Sequence, residues 1–88
     1  MNVADILKQL LAIADSNGVP TGARPISLEV SAHDDEPGRS MVLVQHATGH
    51  MLGMSIPGEV SEEDQQLLMA LLRTVAAFRN EVGDLAVY

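Results

Sequence analysis

Between residues 26 and 56 the period of the sequence changes, and that change decides most of what the chain can become. On either side, apolar residues recur every three to four positions, the pattern of an amphipathic helix. Between them, apolar and polar residues alternate, the pattern of a half-buried strand. Val3, Ile6, Leu7, Leu10, Ile13 and Ala14 carry the first helical pattern. Over residues 26–32, Ile26, Leu28, Val30 and Ala32 are apolar, whereas Ser27, Glu29 and Ser31 are polar. The last helical pattern runs through Leu68, Leu71, Val75, Phe78 and Val82, widened by Leu67, Leu72 and Ala76.

The boundaries carry their own signals. Asn2 caps a first helix over about residues 2–17, with Asp5 in its first turn. Asn17-Gly18 followed by Pro20 stops it. Strands are expected at 26–32, 41–47 and 51–56, and Pro37-Gly38 turns the chain between the first two. Ala47-Thr48-Gly49 suits a three-residue hairpin loop with Gly49 in the left-handed position. That loop sets His46 opposite His50 and gathers Val42, Val44, Leu52, Met54 and Ile56 on one face. The other face then holds Met41, Leu43, Gln45, Met51, Gly53 and Ser55. Ser61 caps a last helix over about residues 61–82, with Glu62, Glu63 and Asp64 at its positive end. Gly83 reads as its C-cap, followed by a short apolar tail over 84–88.

The expected fold is an α+β domain of order α-β-β-β-α. A three-stranded antiparallel sheet carries both helices on its even-numbered face. At 88 residues the chain suits a single domain. The order resembles that of double-stranded RNA-binding domains. In that family the last helix opens on a basic motif, whereas residues 59–64 here read Glu-Val-Ser-Glu-Glu-Asp. The resemblance therefore implies architecture and not RNA binding.

Charge narrows the function classes. Twelve acids against five bases leave a net charge of −7, which opposes a phosphate backbone. The bases, Lys8, Arg24, Arg39, Arg73 and Arg79, are scattered and make no polybasic membrane patch. With Phe78 and Tyr88 the sole aromatics, base stacking has no platform. The absence of Cys excludes thiol catalysis and thiolate zinc sites. Asp5, Lys8 and Asp15 interrupt the first apolar segment as a secretory leader would not, so a cytoplasmic location is expected.

No arrangement of residues spells an active site. There is no G-x-S-x-G elbow, S-x-x-K pair or phosphate-binding loop, so neither an enzyme nor a cofactor is expected. His33-Asp34-Asp35-Glu36 precedes Pro37-Gly38 and reads as a solvated turn. His46 and His50 are weak metal candidates, and they read first as the wet rim of a hairpin. Met41, Leu43 and Met51 are different. They place large apolar side chains on the sheet face that should meet solvent.

Three readings follow. The first is a non-catalytic protein–protein interaction module, homodimeric through Met41, Leu43 and Met51 or through the exposed stripe of the last helix. The second is an acidic inhibitor of a basic nucleic-acid-binding complex, of the phage anti-defence or anti-CRISPR type. It would use Glu62, Glu63 and Asp64 in imitation of phosphate. The third is a metal- or pH-responsive protein acting through His46 and His50. The partner is the chain itself or another protein, with no direct nucleic acid and no membrane.

Overall fold

The computed structural model describes residues 1–86, with side chains through Glu81. Its elements are α1 (Val3–Ser16), β1 (Pro25–Ala32), β2 (Arg39–His46), β3 (Met51–Pro57) and α2 (Glu62–Ala86). The sheet is antiparallel in the order β1-β2-β3. The expected α+β architecture is the observed one.

The local signals act as the chemistry predicts. The Asn2 side chain accepts the Asp5 N–H at 2.9 Å and caps α1. Asn17 closes that helix, and Gly18 leaves it at φ 73°. Ser61 Oγ accepts the Asp64 N–H at 3.1 Å and opens α2. In the β2–β3 hairpin the His46 N–H donates to the His50 carbonyl at 2.8 Å, and Gly49 sits at φ 92°. Val42 therefore pairs with Met54, and Val44 with Leu52.

That register puts the even-numbered residues under the helices. Ile6, Leu10, Val42, Val44, Met54, Ile56, Leu68 and Leu72 form the main core. Ala14, Val19 and Leu52 form a second cluster at the hairpin end. α2 lies over β1, and α1 lies over β3 and against α2. No described helix covers the odd-numbered face of the sheet.

β2 begins two residues earlier and ends one earlier than expected, β3 ends one residue later, and four further details differ from the sequence expectation. First, β1 begins one residue earlier, and a bulge separates Pro25 from Ser27. Pro25 takes the buried position and Ile26 is left exposed, because the extra residue shifts the alternation by one. Second, the buried stripe of α2 runs through Leu68, Leu72 and Ala76. Phe78 is 64% exposed, since a helix advancing 100° per residue carries it onto the flank beside Leu67. Third, α2 continues through Gly83 to Ala86, so Gly83 is not its cap. A glycine inside a helix costs only about 1 kcal/mol, which does not end it. The expected tail thus begins inside the helix, and its last residues, 87–88, lie outside the described residues. Fourth, His46 is not at a wet rim but buried on the core face, because it continues the alternation of Val42 and Val44.

Candidate functional site

The open face of the sheet is built on β2. Arg39, Met41, Leu43 and Gln45 alternate along it, with β1 and β3 on either side. Leu43 stands between Glu29 and Gly53, and Met41 between Ser31 and Ser55. The absence of a side chain at Gly53 matters here. A Cβ there would lie 3.0 Å from Leu43 Cδ2 and 3.8 Å from Met41 Cε. Leu43 and Met41 therefore fold down over Gly53, which leaves them half-buried rather than fully exposed as the sequence suggested. Met51, paired with Gln45, stands 64% exposed at the side of this ridge. The face is a low apolar ridge edged by Ser27, Ser31, Ser55 and Gln45.

Its charges nearly cancel. Glu29 is the acid of the ridge and Arg39 its base. Arg39 lies down over β3, donating from Nε to Ser55 Oγ at 2.8 Å and from Nη2 to the Ser55 carbonyl at 3.1 Å. Its Nε also meets Glu36 at 3.2 Å. With Glu36 counted beside Glu29 and Arg39, this surface carries one net negative charge on a chain of net charge −7.

The acids collect elsewhere. Arg39 pairs with Pro57, and the Gly58 N–H donates to the Gly38 carbonyl at 2.7 Å. The β1–β2 and β3–α2 connections therefore meet at one end of the sheet. Asp34, Asp35 and Glu36 arrive there from one side, and Glu59, Glu62, Glu63 and Asp64 from the other. That end holds seven of the twelve acids. His33 belongs to this turn: its Nδ1 accepts the N–H groups of Asp35 and Glu36, each at 3.2 Å.

The two hairpin histidines take different environments. His50 is exposed, with Nδ1 2.6 Å from Thr48 Oγ1. His46 is 7% exposed and lies on the core face. Its Nδ1 is buried without a hydrogen-bond partner among the described residues. It lines a cavity of about 30 Å³ beneath the α1–β1 connection, with Val19, Pro25, Leu72 and Ala76 among the other walls. The signal for this was present in the sequence, because residue 46 continues the buried series 42 and 44. Among the described residues, no group of three or more His, Asp or Glu stands close enough to hold a metal ion. No described helix is long and apolar enough to cross a membrane.

No protein-family model, curated protein or solved structure matches this chain.

Proposed function

We propose that this chain is a non-catalytic protein–protein interaction module whose contact surface is the open face of the sheet, with a second copy of the chain as its partner. The observation that supports it is the ridge of Met41, Leu43 and Met51 on a face that no described helix covers. Apolar side chains there gain by leaving water, and the near-neutral surround lets two acidic copies approach. Methionine adapts well to such a surface.

The size of the face sets the expected strength. Three strands at roughly 4.8 Å spacing and eight residues at roughly 3.3 Å rise give a patch of about 14 by 26 Å. That is about 360 Å² per copy, below the roughly 800 Å² per partner of stable interfaces, so the association should be weak and transient, in the high micromolar range. Light scattering on a sizing column, run up to high micromolar concentration, should show the mass of two chains. Met51→Glu should weaken the dimer more than about tenfold, because it would bury an unpaired carboxylate. A mass of one chain at all concentrations would end the dimer.

A second reading draws on the meeting of the two acidic clusters at one end of the sheet. Seven carboxylates converging from separate stretches suit a basic protein partner, as an inhibitor that imitates phosphate would. Binding to a polylysine peptide should fall steeply with salt. It should drop at least about tenfold when Glu62, Glu63 and Asp64 are neutralised to Gln, Gln and Asn. Insensitivity to both changes would remove this reading.

A further inference from the structure

We infer that Arg24 and Arg73 form a binding site for a phosphate-type oxyanion. The two residues are far apart in sequence and stand on different elements, yet they line the same two adjoining open cavities. One, of about 490 Å³, is completed by Pro25 and Ile26. The other, of about 170 Å³, is completed by Gly22, Ala76, Ala77 and Asn80. No acid lines either cavity.

The pairing of charges makes this placement unusual. Arg39 meets Glu36 at 3.2 Å, and Arg79 meets Asp15 at 3.0 Å. Arg24 and Arg73 make no ion pair among the described residues. On a chain with twelve acids and five bases, an arginine placed without constraint meets a carboxylate more often than another arginine. Here two line the same cavities, while seven acids sit at the far end of the sheet. Two cations sharing a notch repel, and an anion between them removes that repulsion.

The fold holds both backbones in place. The Arg24 carbonyl accepts the Ala47 N–H at 2.8 Å, and Pro25 beside it is buried. Asn80 Nδ2 donates to the Gly22 carbonyl at 3.1 Å and ties the connection to α2. A Cβ at Gly22 would overlap the Asn80 amide, which would have to swing aside and give up this bond. Arg73 stands exposed on α2, beside the buried stripe of Leu72 and Ala76. The side chains are exposed and free to close on a ligand.

The chemistry selects the ligand class. One guanidinium fork satisfies both oxygens of a carboxylate. Two forks approaching from different elements suit a tetrahedral dianion, which offers more oxygens and cancels both charges. Exposed Ile26 at the cavity wall gives an apolar seat for an organic group esterified to that phosphate.

The test is an NMR titration of the full chain with inorganic phosphate at low ionic strength, following the arginine Nε–Hε signals. Arg24 and Arg73 should move together along one saturating curve, with Arg39 and Arg79 still. Arg24→Gln and Arg73→Gln should each weaken binding at least about tenfold. Arg73→Lys, which keeps the charge and loses the fork, should fall between. Phenyl phosphate supports the site in either case: tighter binding assigns it to an organic ester against Ile26, and equal binding to free phosphate. Shifts that never saturate, shifts matched by chloride, or affinity unchanged in both Gln variants would overturn the inference.

Discussion

Leu68→Ala is expected to remove about 2–5 kcal/mol of stability, whereas Leu67→Ala, one residue away, should remove less than about 1 kcal/mol. Leu68 is 0% exposed and sits in the main core, while Leu67 is 49% exposed on the flank of α2. A domain of this size has roughly 5–10 kcal/mol in total, so the first change takes a large share of it. The cost has two parts: the lost transfer of three methyl-sized groups out of water, and the cavity left because β2 and α1 relax only partly. Urea unfolding of both variants measures the contrast. Equal losses at the two positions would overturn the assignment of Leu68 to the core and Leu67 to the flank.

That pair also shows what the sequence could disclose. Leu67, Leu68, Leu71 and Leu72 all fit an apolar stripe, and helical period alone cannot say which of its edges faces the sheet. Val75 and Phe78 drew the expected stripe to one side. The sheet pulls it back toward Leu72 and Ala76, because α2 must cover β1 while lying beside α1. The strands were more legible. A hairpin with a three-residue loop has one register, and the parity of Val42, Val44, Leu52 and Met54 agrees with it. The bulge at Ile26 was not legible, since residues 26–32 alternate without a break. It arises where the Arg24 carbonyl reaches across to Ala47, a contact between segments distant in sequence.

The candidate surfaces divide along the same line. Met41, Leu43 and Met51 could be placed on the open face from parity. That Leu43 and Met41 would lie over Gly53 could not, because it depends on a neighbouring strand lacking a side chain. The acidic runs at 34–36 and 59–64 could be seen singly. Their meeting depends on the pairing of Arg39 with Pro57. Arg24 and Arg73 carried no local signal at all, being single cations in unremarkable contexts.

His46 was placed by sequence at a solvated rim, and its burial leads to the second large effect. His46→Leu is expected to stabilise the protein by about 1–2 kcal/mol. A buried polar atom without a hydrogen bond costs about 1–3 kcal/mol, and an apolar side chain of similar volume removes that cost. His46 Nδ1 is such an atom, and the cavity beside it is lined mainly by apolar residues, Val19, Pro25, Leu72 and Ala76 among them, with Thr21 and Arg79 also in its wall. Leucine would also fill part of the adjoining cavity of about 30 Å³. His50→Leu is the matched control. His50 is exposed and engaged with Thr48, so that change should stay within about 0.5 kcal/mol. Urea midpoints at one fixed pH compare the two. A loss of stability in His46→Leu would show that the imidazole has a hydrogen-bonding role in the folded state, and that its position in the core is supported rather than merely tolerated.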